Sequence, residues 1–211
     1  MNDITQQVAD TWSQWLGWEL VAVTLALAYL VLAVRQNALC WYAGFLSTAI
    51  YTALYWNVSL LMESGLNVYY MAMAVYGWWQ WRLGGRGDTE LPVQTWRWRT
   101  HLLVIGGIVL VSLASGTWLT MFTQAAWPYL DSFTTWAAVV TTYMVARKVL
   151  ENWLYWMVIN SLQMIILWER SLYLTALLMA LYLIISVFGW LSWVRDYRGQ
   201  SRERAEEAAC A

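Results

Sequence analysis

The chain has 211 residues, of which 61% are hydrophobic and only 12% charged, with 18 Trp and a formal net charge of −1. A composition this apolar and this rich in Trp excludes an ordinary soluble domain, and no nucleic-acid partner is expected; the net charge says little, because what matters is where the basic residues sit. The fold class it implies is an all-α integral membrane protein.

Residues 1–16 are polar, but Ile4, Val8, Trp12 and Trp15 fall on one side of a helix, which predicts a short segment lying in the membrane interface. The first fifteen residues lack both a basic start and an apolar centre, so no cleavable signal peptide is read there and the first span is expected to direct insertion itself. Crossing a bilayer takes about 20 apolar residues. Seven runs meet or approach this, at residues 17–34, 38–57, 60–81, 101–123, 132–146, 150–168 and 172–194, the fifth being the shortest.

Basic residues gather in alternate connections. Arg35, the group Arg82, Arg86, Arg97 and Arg99, the pair Arg147 and Lys148, and Arg195, Arg198, Arg202 and Arg204 fall on one side, while Arg170 alone falls on the other. Cytoplasmic loops hold the excess of Lys and Arg, so the N-terminus is expected outside and the C-terminus in the cytoplasm. Residues 83–98 contain Gly-Gly-Arg-Gly-Asp and are expected to form a flexible cytoplasmic loop; without a preceding strand or a Gly-Lys-Ser/Thr ending, this Gly-rich piece is no phosphate cradle. Residues 196–211 are expected to be a cytoplasmic tail, of which 200–211 are charged, Ala-rich and expected to be mobile.

Superposing residues 35–81 on 147–193 without a gap gives eleven identities in 47 positions, among them Trp41 with Trp153, Tyr70 with Tyr182, Gly77 with Gly189 and Trp81 with Trp193. Both copies begin at a basic connection, so they share one membrane orientation. The expected architecture is two parallel three-helix bundles, over residues 17–82 and 131–195, joined through a loop and linker helix at 83–123. A substrate would then sit between the halves, near the midplane.

The spans carry no ionisable side chain near their centres, which argues against ion coupling through buried carboxylates or histidines and for a facilitator. His101 stands alone beside Arg97 and Arg99 at a span end, and Cys40 and Cys210 read as structural, so neither a metal site, a cofactor site nor a catalytic constellation is expected. The chemistry lies in neutral polar and aromatic groups. Trp153, Trp156, Asn160 and Gln163 follow one another at three- or four-residue steps along one face of the sixth span. An unpaired amide in hydrocarbon costs several kcal/mol, so this face is expected to meet a helix partner or a polar cavity. Trp41, Asn67, Tyr70 and Tyr182 are further candidates for a solute site. The plainer alternatives are interfacial belts for Trp and Tyr and helix–helix glue for Asn, Ser and Thr.

The runs Tyr76-Gly77-Trp78-Trp79-Gln80-Trp81, Glu151-Asn152-Trp153-Leu154-Tyr155-Trp156 and Leu172-Tyr173-Leu174-Thr175-Ala176, the last leading to Gly189-Trp190 and Trp193, resemble the bacterial nicotinamide riboside transporter family, the Pnu vitamin transporters. The resemblance covers roughly residues 17–195. It implies a plan distantly similar to SWEET sugar transporters, an inner-membrane location, a homotrimer, and facilitated diffusion of a dephosphorylated vitamin that a cytoplasmic kinase then traps. The family's Trp-x-x-Trp falls on Trp153 and Trp156, and the polar positions after it on Asn160 and Gln163. Glu63-Ser64-Gly65-Leu66-Asn67 departs from the family pattern, where Ala-Asp and Gln are commoner, and this weakens a site role for Asn67. Nicotinamide riboside is the expected substrate, with thiamine or riboflavin the alternative within the class and a non-transporting membrane scaffold the alternative outside it.

Overall fold

The apolar runs fold into seven helices in a computed structural model that describes the backbone of residues 2–57, 61–85, 90–123, 127–169 and 171–210, and all of their side chains except those of 2–16, 61–62, 174, 203–205 and 207–210. The helices are α1 (Asn2–Val34), α2 (Cys40–Asn57), α3 (Leu61–Leu83), α4 (Trp98–Phe122), α5 (Pro128–Ala146), α6 (Asn152–Glu169) and α7 (Tyr173–Cys210). Among the described residues there is no strand, only an isolated parallel bridge between Gln94 and Val149. The expectations that rested on Ser59, Leu60, Arg86 to Asp88, Arg170, the N-terminal aromatic face, and the Arg204 and Cys210 side chains fall outside the described residues.

Gly17–Val34, Trp98–Phe122 and Thr175–Arg202 are long and apolar enough to cross a membrane on composition alone. The other four helices are diluted by Tyr, Trp, Thr, Ser and Asn, many of which point inward. Each of α1, α2, α3, α5, α6 and α7 packs on the next, and α7 returns to α1, so six helices close a ring. The remaining helix, α4, packs mainly on α5 and leaves most of its surface outside, with Leu103 78% exposed. Such an apolar exterior suits lipid rather than water.

The two halves match in detail. Shifting by 112 residues carries the α3–α5 contact onto α7–α1, and the α1–α2 turn onto the α5–α6 turn. Both turns hold one non-glycine residue in the left-handed region, Gln36 at φ 54° and Lys148 at φ 48°. Around them the same bonds recur: Asn37 N donates to Leu32 O and Val149 N to Met144 O, each at 2.9 Å. Equivalent backbone at equivalent positions means the repeat is structural as well as sequential.

The basic end is sealed by four tryptophans. Trp41 meets Trp81 edge-on at 5.4 Å, Trp153 meets Trp193 at 5.5 Å, and Trp81 meets Trp193 at 5.9 Å. Edge-to-face pairs contribute roughly 0.5–1.5 kcal/mol each beyond their burial. The hydrogen bonds are reciprocal: Trp81 Nε1 donates to Val145 O at 3.0 Å, and Trp193 Nε1 donates to Ala33 O at 3.1 Å. Each half thus ties its last helix to the first helix of the other. Gly77 and Gly189 make room for the plug, since a Cβ there would lie 2.3 Å from the Trp41 ring or 2.6 Å from that of Trp153.

Three boundaries differ from the sequence expectation. The polar segment 2–16 continues into the first span as one unbroken helix. Instead of ending as a tail, α7 runs to Cys210, because Arg, Glu and Ala in residues 202–209 are strong helix formers. The loop before α4 is docked beyond residue 89: Leu91 and Val93 are buried, Gln94 N donates to Lys148 O at 3.0 Å, and Leu150 N donates to Gln94 O at 2.8 Å. Leu-Pro-Val supplies apolar side chains to bury and an extended backbone to pair.

Candidate substrate cavity

A cavity of about 280 Å³ lies inside the ring, lined from all six ring helices and by no residue of α4. On α1 the lining residues are Ala26 and Tyr29; on α2, Trp41, Gly44, Ser47 and Thr48; on α3, Tyr70 and Ala74. The second half adds Ala138 and Thr142 from α5, Trp156, Ile159, Asn160 and Gln163 from α6, and Met179 and Tyr182 from α7. Several are partners under the 112-residue shift, including Ala26 with Ala138, Thr48 with Asn160 and Tyr70 with Tyr182. None of the lining residues is charged.

The symmetry of backbone is broken in side chains. Gly44 occupies the position equivalent to Trp156, and its missing side chain admits the Tyr29 ring, which would lie 3.0 Å from an added Cβ. One wall is therefore indole and the opposite wall phenol. Asn160 Nδ2 makes a long 3.4 Å bond to Ser186 Oγ, whose hydroxyl donates to Tyr182 O at 2.8 Å. This chain holds the amide at the cavity edge. Among the described residues, the Asn160 carbonyl oxygen, the Gln163 amide and the Tyr29, Tyr70 and Tyr182 hydroxyls have no hydrogen-bond partner. Thr48 and Thr142 instead satisfy themselves on carbonyls one turn back. Convergent free donors and acceptors beside an aromatic wall are what a small polar ring compound requires.

Six of the eight residues singled out from the sequence come together here: Trp41, Tyr70, Trp156, Asn160, Gln163 and Tyr182. Trp153 does not line the cavity; it is 1% exposed, locked between Trp193 and Gly189. Helical spacing put it on the face of Trp156, but at the helix start that face meets the plug. Asn67 also lies elsewhere, with its Nδ2 donating to Glu63 O one turn back at 2.9 Å. Trp41 belongs to both places, forming the cavity's basic-end wall and one side of the plug. Sequence reasoning passed over Tyr29, for which the one available signal was its position as the lone Tyr in residues 17–34.

Outside the spans, Lys148 is buried with its Nζ 4.8 Å from the Trp81 ring centre. Burial pushes its pKa down, an effect partly offset by Glu90, Cys40 and Asp196. Arg147 is held in its charged form above all by a hydrogen bond to Tyr76. His101 is placed by contacts rather than left at the surface: Nδ1 lies 2.9 Å from the Tyr155 hydroxyl and Nε2 lies 3.9 Å from Glu151. This cluster fastens α4 to α6. Among the described residues no group of three or more His, Cys, Asp or Glu side chains could hold a metal ion.

Two parallel three-helix repeats, a linker helix outside them and an uncharged cavity between them define a multi-pass membrane transporter. Residues 16–195 match the nicotinamide mononucleotide transporter family, and the chain belongs to it. It is 24% identical over 200 residues to the riboflavin/roseoflavin transporter RibM of Streptomyces davaonensis, covering 93% of this chain and 91% of that one. To the nicotinamide riboside transporter PnuC of Escherichia coli K12 it is 23% identical over 220 residues, covering 92% and 90%. The PnuC of Neisseria mucosa is 30% identical over 179 residues, covering 74% of this chain and 65% of the relative. The fold matches a crystal structure of the vitamin B3 transporter PnuC with a TM-score of 0.69 at 23% identity, over 92% of this chain and 87% of that chain. The PnuC-type transporter architecture expected from the sequence is therefore the one observed.

Proposed function

We propose that this transporter carries nicotinamide riboside by facilitated diffusion. The observation that carries the reading is the cavity wall made by Trp156, Asn160 and Gln163, an indole face beside two amides with hydrogen-bonding capacity to spare. A pyridinium stacked on Trp gains roughly 0.5–2 kcal/mol from cation–π attraction. Carboxamide and ribose hydroxyls match the Asn and Gln amides and the tyrosine hydroxyls.

The family is described by the mononucleotide, yet a cavity without Lys or Arg offers nothing to offset the desolvation of a phosphate. In this reading the phosphorylated form is excluded, and a cytoplasmic kinase makes entry one-way. The tryptophan plug is the cytoplasmic gate, with the N-terminus outside and the C-terminus inside, and the working assembly is a homotrimer. Riboflavin is the second reading, because RibM is as similar as the PnuC of E. coli. Against it, 280 Å³ is tight for a three-ring ligand with a ribityl chain.

The test is thermal stabilisation of purified protein by nicotinamide riboside, its 5′-phosphate, thiamine and riboflavin. A ligand at 100 times its Kd stabilises by about 2.7 kcal/mol. Stabilisation by the riboside alone is expected; stabilisation by riboflavin or thiamine alone would reassign the substrate, and equal stabilisation by the phosphate would end the trapping scheme. A scaffold would tolerate Asn160→Leu with Gln163→Leu, whereas a transporter is expected to lose uptake with its folding intact.

A further inference from the structure

The two halves differ in what covers their equivalent turns on the basic end. In the second half, the extended segment around Gln94 lies on the α5–α6 turn, receiving an N–H from Leu150 and giving one to the Lys148 carbonyl. Shifted by 112 residues, those two groups are Ala38 N and Gln36 O in the α1–α2 turn. Neither has a hydrogen-bond partner among the described residues. Where the second half is covered by its own chain, the first half has an open niche of about 490 Å³.

The niche carries its own chemistry. Arg35 and Arg82 line it from the ends of α1 and α3, Glu90 lines it from the segment before α4, and Tyr42 and Trp78 form its membrane side, edge-on at 6.2 Å. Two guanidiniums call for an anion, one carboxylate and a free carbonyl call for a hydrogen-bonding cation, and the aromatic pair belongs at the depth of lipid headgroups. From there an exposed apolar track runs towards the membrane centre along Tyr42 and Leu46 of α2 and Val75 and Trp79 of α3. A soluble phosphate ester has no use for that track.

We propose that this niche binds one phosphatidylethanolamine. Its phosphate sits on Arg35 and Arg82 and accepts the Ala38 N–H, its ammonium donates to Glu90 and to the Gln36 carbonyl, and its acyl chains lie along α2 and α3. A choline headgroup fails because it has no N–H to donate. The lipid completes on the first half the cover that Gln94 provides on the second.

The experiment is native mass spectrometry of the full-length protein in detergent doped with phosphatidylethanolamine, phosphatidylcholine or phosphatidylglycerol, together with thermal unfolding in each lipid and in soluble phosphoethanolamine. One tightly held phosphatidylethanolamine is expected, retained about tenfold better than the other two lipids, with no stabilisation by phosphoethanolamine. Arg35→Gln with Arg82→Gln is expected to abolish the retained lipid, the matching double Lys variant to keep it, and Arg198→Gln, outside the niche, to leave it unchanged. Glu90→Gln is expected to erase the preference over phosphatidylcholine. Equal retention of all three lipids, a double Gln variant that keeps its lipid, or equal stabilisation by soluble phosphoethanolamine would each overturn the proposal.

Discussion

Trp153 and Trp156 sit three residues apart on α6 and do different work. Trp156 offers its ring to the cavity, while Trp153 is enclosed by Trp193 and Gly189. Trp153→Ala is therefore expected to destabilise by roughly 3–5 kcal/mol, the range for an aromatic removed from a packed core. Trp156→Ala is expected to weaken ligand stabilisation while leaving most of the unliganded stability, so comparing melting temperatures with and without ligand separates the two. Lys148 gives a second residue-scale expectation. Its pKa is lowered from 10.5 by burial, so folding penalises the charged amine, and the unfolded chain binds more protons between the folded and unfolded values. That penalty is fully present below the folded pKa and fades as pH rises towards 10.5. Lys148→Met is expected to raise the melting temperature at neutral pH, with the gain shrinking in alkaline buffer; a difference independent of pH would contradict it.

At the scale of elements, the plug depends on two glycines that accept an indole ring on bare backbone. Gly77→Ala and Gly189→Ala are each expected to cost roughly 1–3 kcal/mol through overpacking, and by similar amounts because their environments are equivalent. Urea unfolding of both variants checks this, and one neutral and one severe variant would mean the halves are less alike than their geometry. The helices and the repeat were legible because span length, basic connections and the Trp and Gly register are local properties of the chain. The docking of Leu91 to Trp96 was not legible, since a short extended segment between Gly-rich and basic residues looks like any exposed loop until the turn it pairs with is in place. The role of Trp153 was hidden for a related reason. Periodicity assigns a face to a residue, but what that face meets changes along the helix.

For the whole molecule, the plug must part if the cavity is to reach the basic end. Cys40 is a built-in reporter, a free thiol buried among Ala33, Trp41 and Trp193. With Cys210 replaced by Ser, Cys40 is expected to resist maleimide in the resting protein. Trp81→Phe with Trp193→Phe removes both reciprocal hydrogen bonds, each worth about 1 kcal/mol, and is expected to speed labelling about tenfold or more. Unchanged labelling would mean that the plug is static and that solute leaves by another route.

The closed ring of six helices carries one more implication. The surface by which α3 meets α5 is also the surface by which α7 meets α1, so each three-helix half presents a self-complementary pair of edges, as the subunit of a two-fold dimer does. What α4 adds is direction: it takes the chain back across the membrane so that the second half enters from the same side as the first. Residues that face the cavity from equivalent positions, such as Gly44 and Trp156, are thereby freed from having to match. A strict dimer of identical halves would have two identical cavity walls, and fusion into one chain is what leaves the two walls free to diverge, indole beside amides on one and phenol on the other.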